Sequence, residues 1–194
     1  MTRTTALVLG TLLMGLTTFQ PATSAQGAWT TMFDGKTLNG WNMVGDANWA
    51  VVDGVVQADK GMGGFLVTPV PYGDFQITLD FWVTDDANSG VFIRCSDPKT
   101  ITAANAYEVN IFDKRPDQSF RTGGIVDVAK PASVVMTGGK WNSFDITARG
   151  TKLTVVLNGM KMVDVDDAKH PRGPIALQYG AGTVKFRNVR VRTL

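Results

Sequence analysis

Short runs of strand-forming residues, separated by tight-turn signals, constrain the fold of this chain more than any other feature of its sequence. From Phe75 to Phe81 every second residue is apolar and the residues between are polar. Tyr107–Ile111 alternates in the same way, and in Ile175–Tyr179 the large apolar residues alternate with Ala176 and Gln178. A period of two is typical of a half-buried β-strand. No window after the N-terminal segment has the 3.6-residue spacing of an amphipathic helix, so we predict an all-β fold.

Two turn motifs fix hairpins within this pattern. Asp53-Gly54 and Asn158-Gly159 each lie between two apolar runs, and both pairs tolerate the positive φ angles of a type I′ turn. In the last strand the apolar residues change parity, which predicts a β-bulge near Arg187-Asn188. Parallel sheets would need crossover helices, and the sequence offers none. About a dozen short strands are therefore expected to form two antiparallel sheets packed face to face.

The N-terminal 25 residues have the features of a secretory signal peptide. Arg3 precedes an apolar run, and Thr23-Ser24-Ala25 provides small residues for cleavage after Ala25. The run is shorter than the ~20 residues that span a bilayer. We therefore expect an exported protein, periplasmic or extracellular, whose residues 26–194 form one domain with no membrane segment. The single cysteine, Cys95, excludes an internal disulfide and is expected to be buried.

Charge and composition exclude several classes of function. The formal net charge is +2, and no basic patch is interleaved with aromatic residues, so a nucleic-acid partner is not expected. One histidine, His170, and one cysteine cannot build a zinc site. Aspartates in two loops, at positions 85–86 and 164–167, could supply oxygen ligands to calcium or another divalent ion, although EF-hand spacing is absent. No cofactor is firmly predicted.

Polar residues inside predicted central strands are the candidates for a functional site. Glu108 and Asn110 share one face of their strand, and Arg94 is expected to share a face with Phe92. If the two strands are neighbours, an arginine, a carboxylate and an amide converge on one surface. The alternative is a solvated outer face with a weak ion pair. Trp82 has the parity of its polar neighbours and could stack on a sugar ring, although most aromatic residues simply fill cores.

A series of motifs occurs in a defined order along the chain. They are Met32–Asn42 (MFDGKTLNGWN), Trp49–Gly54, Asp74-Phe75, Asn88–Arg94 (NSGVFIR), Tyr107–Asp113 (YEVNIFD), Thr122–Gly124, Trp141-Asn142, Leu157–Gly159, Gly173–Gln178 (GPIALQ) and Phe186–Arg190 (FRNVR). In this order they resemble the 3-keto-disaccharide hydrolase domain family, and the resemblance covers roughly Trp29 to Leu194.

The resemblance implies a concanavalin A-like lectin/glucanase jelly roll and an exported hydrolase acting on glycosides oxidised at C3. A 3-keto group acidifies the C2 proton, so a base can drive β-elimination of the C1 substituent before water adds. From residue chemistry we expect Glu108 to be the base and Arg94 to stabilise the enolate oxygen. The expected substrate-binding residues are Asn88, Asn110, Asp113, Gln178, Trp82 and Tyr179, with an oxidised glycoside or disaccharide as partner.

One position departs from the family pattern. Gly180 stands where members often carry a histidine, two residues after Gln178. If that histidine moves a proton or binds metal, this chain has altered specificity or no activity. A non-catalytic carbohydrate-binding module of the cell envelope is therefore the alternative to an enzyme, and an envelope interaction domain is the third hypothesis.

Overall fold

The computed structural model describes residues 1–2 and 27–194, so the predicted signal peptide and its cleavage site lie almost wholly outside the described residues. The described part contains thirteen strands and a short 3₁₀ turn at Gln118–Phe120. The strands are β1 (Thr30–Thr31), β2 (Asn42–Gly45), β3 (Ala50–Val52), β4 (Val55–Ala58), β5 (Gly64–Val67), β6 (Phe75–Val83), β7 (Asn88–Ile93), β8 (Tyr107–Ile111), β9 (Trp141–Arg149), β10 (Lys152–Leu157), β11 (Met160–Asp166), β12 (Ala176–Ala181) and β13 (Val184–Thr193).

The strands form two antiparallel sheets, which confirms the predicted all-β sandwich. The eight-stranded sheet has the order β11-β10-β9-β6-β13-β4-β3, and β1 also pairs with β13. The five-stranded sheet has the order β2-β5-β12-β7-β8. Within the described residues there is no helix long and apolar enough to cross a membrane.

The predicted turns and bulge are present. Asp53-Gly54 joins β3 to β4 and Asn158-Gly159 joins β10 to β11, each with positive φ at both residues. The register of β13 against β6 shifts between Arg187 and Arg190, and Asn188 has a φ of 53°. At this bulge β13 changes partner on its other edge, from β4 at Val184–Phe186 to β1 at Arg190-Val191.

The main core lies between the two sheets, because inward-facing residues alternate along both. Phe81, Phe144 and Phe186 from the eight-stranded sheet belong to one buried cluster with Val91 and Leu177 from the five-stranded sheet. The rings of Phe81 and Phe144 have centroids 4.8 Å apart. Burial of these side chains supplies most of the stabilisation of such a fold.

A second, smaller apolar cluster covers part of the outer face of the five-stranded sheet. Its buried members are Val67, Phe92, Cys95, Ile101, Ala106 and Ala176. Cys95 is buried as predicted, and burial raises the pKa of its thiol to about 12, so it remains a protonated, unreactive residue. Ile101 reaches this cluster from the β7–β8 loop and fixes that loop against the sheet.

Candidate functional site

The outer face of the five-stranded sheet carries four of the eight predicted site residues: Asn88, Glu108, Asn110 and Gln178. Strand register places Phe65, Gln178, Gly90 and Asn110 in one row across β5, β12, β7 and β8. Glu108 lies in the next row, opposite Phe92. Alternation along β8 therefore puts Glu108 and Asn110 on the same face, as the sequence predicted.

Gly90 creates a gap in the middle of this row. A Cβ atom at position 90 would lie 3.4 Å from Cγ of Glu108 and 3.4 Å from the Phe92 ring. The Glu108 side chain thus extends over Gly90, towards the strand that carries Gln178. Because Gly90 has no side chain, the Glu108 side chain and the Phe92 ring can pack over its backbone, between Asn110 and Gln178.

Glu108 is the carboxyl group on this face, and its environment perturbs its pKa strongly. The residue is 9% exposed, and burial raises the pKa of its carboxyl to about 7. The positive charge of Arg115 opposes this shift and the negative charge of Asp127 adds to it. Within residues 27–194 the Glu108 carboxylate forms no hydrogen bond. A carboxyl with a pKa near neutrality can both accept and return a proton at physiological pH.

Several buried polar atoms around Glu108 have no hydrogen-bond partner among the described residues. They are the amide oxygens of Asn110 and Gln178 and the Nε atom of Arg115. The Asn110 amide nitrogen, in contrast, donates to the Phe120 carbonyl, which fixes the orientation of the group. Buried polar groups are nearly always satisfied, so unpaired ones are expected where a ligand or water supplies the partner.

A cleft of about 440 Å³ opens beside this row. Asn88, Gln178 and Gly180 form part of its lining, and the segment Lys99–Ile101 forms another part. Val44 and Phe65 contribute apolar surface. Glu108 and Asn110 share the face of the sheet but do not line the cleft itself.

Gly180 is required by the position of Asn88. A Cβ atom at residue 180 would lie 2.9 Å from the Asn88 carbonyl oxygen and 3.0 Å from its side-chain nitrogen. The register between β12 and β7 also shifts between Tyr179 and Ala181. A histidine cannot occupy position 180 in this backbone, because the Asn88 amide fills the space.

Arg94 does not converge with Glu108, contrary to the expectation from alternation. β7 ends at Ile93, and Arg94 has a φ of 55°, which turns its side chain away from the face that Phe92 occupies. Its guanidinium donates to the carbonyls of Gly73 (2.9 Å), Gly150 (2.8 Å) and His170 (3.3 Å). It also pairs with Asp74 at 3.2 Å. Arg94 is 1% exposed and connects loops at one end of the sandwich.

Trp82 and Tyr179 also lie apart from Glu108. Trp82 is on the outer, polar face, as predicted, but of the eight-stranded sheet, where Lys185 lies 4.8 Å from its ring centroid. Tyr179 borders the cleft, yet it is 4% exposed and belongs to the main core. Its parity along β12 is the inward one, so only its neighbours Gln178 and Gly180 face the cleft.

Asp113 is buried in a hydrogen-bond network at the end of β8. Its carboxylate accepts from the hydroxyls of Thr122 and Thr137 and from the backbone N–H groups of Thr137 and Gly138. All four partners are donors, and together they hold the loop after β8 against the segment that precedes β9.

We expect Asp113→Asn to lower the free energy of unfolding by about 2–3 kcal/mol, because one carboxylate acceptor is replaced by an NH₂ group facing donors. Urea denaturation would measure the loss. Saccharide binding by the folded variant should match that of the unchanged protein. A stable variant with lost binding would instead assign Asp113 to the ligand.

A larger cleft, of about 840 Å³, lies on the eight-stranded sheet. Two of its carboxylates are hydrogen-bonded: Asp80 accepts from Arg187 and Asn188, and Asp145 accepts from Gln76, whereas the buried Thr78 hydroxyl has no partner among the described residues. Asp34 accepts from amides of its own turn. The smaller cleft is the better candidate site, because its face carries the perturbed carboxyl and the unpaired amides.

The described residues hold no group of three or more His, Cys, Asp or Glu side chains arranged to bind a metal ion. Of the aspartates expected to offer calcium ligands, the three at positions 164, 166 and 167 are otherwise engaged. Asp164 and Asp166 pair with Lys152, and Asp167 accepts from the Tyr107 hydroxyl at 2.6 Å.

Comparison with known families shows to which family the chain belongs. A model of the 3-keto-alpha-glucoside-1,2-lyase-like domain matches residues 28–192. The chain belongs to this family. The expected resemblance is thus confirmed, and membership makes the chain a carbohydrate-related, glycoside hydrolase-like protein.

Individual relatives agree with this assignment. A 3-keto-disaccharide hydrolase of Bacteroides thetaiotaomicron is 32% identical over 74 residues, and the match covers 32% of this chain and 26% of that relative. The chain therefore matches about a quarter of the length of this curated relative.

Solved structures share the fold. A candidate glycosyl hydrolase from Parabacteroides distasonis superposes with a TM-score of 0.76 at 23% identity, over 87% of this chain and 94% of that one. The carbohydrate-binding module CBM66 from Bacillus subtilis gives 0.63 at 20% identity, over 77% and 93%.

Proposed function

We propose that the protein cleaves 3-keto-glycosides, as a hydrolase or lyase, with Glu108 as its acid–base residue. The observation that supports this most is a buried carboxyl with a pKa of about 7, extended over Gly90 towards Gln178. A group that only binds hydroxyls gains nothing from being half protonated at neutral pH, whereas a proton-transfer catalyst does.

The proposed reaction begins with removal of the C2 proton of the keto sugar by the Glu108 carboxylate. The electron pair moves to the C3 oxygen and forms an enolate. The enolate re-forms the ketone as the C1–O bond breaks, which leaves a C1–C2 double bond, and protonated Glu108 returns its proton to the leaving oxygen. Addition of water across the double bond, with OH at C1 and H at C2, completes hydrolysis.

Arg115 is the cation that best fits the charge of the enolate in this proposal. Its charge acts on Glu108, and its buried Nε has no acceptor among residues 27–194. The amides of Asn88, Asn110 and Gln178 would bind hydroxyls. For Arg94 we propose a positioning role, because its donors are already bonded to backbone carbonyls.

A non-catalytic carbohydrate-binding function is the second candidate. It is favoured by the lining of the 440 Å³ cleft: no carboxylate lines it, so a sugar held there would lie beside Glu108 rather than on it. Gly180, in place of the frequent histidine, points in the same direction.

Turnover separates the two candidates. The purified protein is incubated with a 3-keto-disaccharide, and free sugar is followed by chromatography while calorimetry records binding. If the rate of sugar release depends on pH with an apparent pKa near 7, the result supports the enzyme. Saturable binding without release, with or without added divalent ions, would leave the binding module as the function.

We also propose that the chain is exported, on the basis of the signal-peptide features of residues 1–25. N-terminal sequencing of the mature protein from its native source should begin at Gln26. A mature chain that retains Arg3 and the apolar segment would contradict export with cleavage.

A further inference from the structure

We propose that the 440 Å³ cleft selects an anionic saccharide, such as a uronic acid glycoside, whose acidic group pairs with Lys99. The inference rests on the proposed carbohydrate function and adds the chemical class of the ligand. The cleft is lined by residues of three kinds: apolar side chains, uncharged polar groups and one cation. The cation is the feature that a neutral sugar would not require.

Lys99 is the one charged residue in the lining of this cleft. Among the residues that the structure describes, no ion pair involves Lys99. The cleft therefore has a net positive charge that no protein group within it offsets.

The carboxylates nearest in sequence to the residues that line the cleft accept hydrogen bonds from backbone N–H groups. Asp97 accepts a hydrogen bond from the Lys99 backbone N–H at 3.0 Å. Asp46 accepts from the N–H groups of Met62 (2.8 Å) and Gly63 (3.2 Å). Both aspartates shape the loops that carry the rim, and neither lines the cleft.

The loop that carries Lys99 is held in place by the residues that follow the lysine. Ile101 is 8% exposed and packs into the small outer cluster with Phe92. The Asn105 side chain accepts from the Thr102 N–H and donates to the Thr100 carbonyl. The backbone at Lys99 thus keeps a fixed position at the rim, although the side chain itself is exposed.

The rest of the cleft suits the remainder of a sugar ring. Val44 and Phe65 offer apolar surface to the C–H face of a pyranose, and the unpaired Gln178 amide oxygen can accept from a hydroxyl. An acid at one edge of the ring would then meet Lys99 in a charge-assisted hydrogen bond.

The test compares two glycosides that differ in one group. Methyl β-D-glucuronide and methyl β-D-glucoside are titrated into the purified protein, with Lys99→Gln as the variant and Lys36→Gln as the matched control. Lys36 is an exposed lysine next to the larger cleft on the other sheet. We expect the glucuronide to bind about fivefold more tightly, as an exposed ion pair allows. The preference should disappear in Lys99→Gln and at about 0.5 M salt, and persist in Lys36→Gln.

The outcomes separate this inference from the proposed function. Equal affinity for both glycosides, unchanged by Lys99→Gln, overturns the anionic preference while 3-keto-glycoside turnover can still be observed. If neither glycoside binds, the cleft is not a saccharide site and the inference is wrong. A preference retained by Lys99→Gln but lost in Lys99→Glu would place the selecting cation elsewhere and also contradict it.

Discussion

Replacing Arg94 with methionine is expected to lower the free energy of unfolding by about 3–5 kcal/mol, the largest loss predicted for a single side chain in this protein. The side chain is 1% exposed, and three backbone carbonyls, of Gly73, Gly150 and His170, would lose their donor at once. Each buried acceptor left unpaired costs about 1–3 kcal/mol. Urea denaturation followed by tryptophan fluorescence measures the change.

Two further variants separate the carbonyl contacts from the ion pair. Asp74→Asn should cost no more than about 1 kcal/mol, because the Asp74 side chain is 44% exposed and the charge is screened by solvent. Arg94→Lys keeps the charge but not the planar set of donors, so it should remain clearly destabilised. It also provides a measurable variant if Arg94→Met does not fold.

The role of Arg94 in turnover can then be tested with the Arg94→Lys variant, by measuring activity relative to the amount of folded protein. Sugar release per folded molecule should stay close to that of the unchanged protein. A stable Arg94→Lys protein that has lost turnover would return Arg94 to the catalytic role expected from the sequence.

The sequence predicted the faces of the strands more reliably than the contacts of individual side chains. Alternation identified the shared face of Glu108 and Asn110, and parity identified the bulge at Asn188. Both follow from local geometry, in which one residue step reverses the direction of the side chain. The Asn-Gly and Asp-Gly turns were equally predictable, because their backbone angles are a property of the residues themselves.

Arg94 shows that alternation predicts the direction of a side chain only as far as the strand extends. The prediction extended the alternation of β7 by one residue, but the strand ends at Ile93 and Arg94 has a positive φ. Nothing in its neighbours signals this, because a left-handed arginine is held by partners in distant loops. Trp82 had the right parity, yet only the sheet order reveals that its face belongs to the other sheet.

Arg115 and Lys99 were missed for a related reason. Both lie in loops, after β8 and after β7, where no period connects a side chain to a face. Ile101 offered the one local signal, because it is the one large apolar side chain in the β7–β8 loop, and it is buried. Loop residues reach a site through tertiary contacts, which the sequence pattern does not encode.

Glu108→Gln is expected to abolish turnover and at the same time to stabilise the protein at alkaline pH. The folded-state pKa of about 7 exceeds the ordinary value of 4.5. Between these values the unfolded chain releases a proton that the folded protein retains, so the Glu108 contribution to stability falls as pH rises from 4.5 to 7. At pH 8 the ionised, buried carboxylate costs up to about 3 kcal/mol, which the neutral glutamine removes in part.

The difference between the two proteins isolates this effect. His170 is also buried, and burial lowers its pKa, so its own contribution is lost as pH falls below 6.5 in both proteins. Subtracting the free energies of unfolding of the two proteins at each pH between 4 and 8 cancels the contribution of His170. We expect Glu108→Gln to gain stability relative to the unchanged protein as pH rises, with the change complete above pH 7.

The same site can be titrated directly, because Glu108 is the only glutamate in the sequence. Protein labelled with ¹³C at the glutamate carboxyl carbon should give one resonance that titrates near pH 7. Turnover should depend on the same ionisation and fall by at least about 100-fold in Glu108→Gln, as is typical for loss of a general acid–base group. A resonance that titrates near 4.5, or a variant that is destabilised at pH 8, would show a solvated carboxylate. A buried acid that must ionise to act lowers the stability of its own fold, and the loss of turnover in Glu108→Gln, together with the pH dependence of turnover, would assign that ionisation to catalysis.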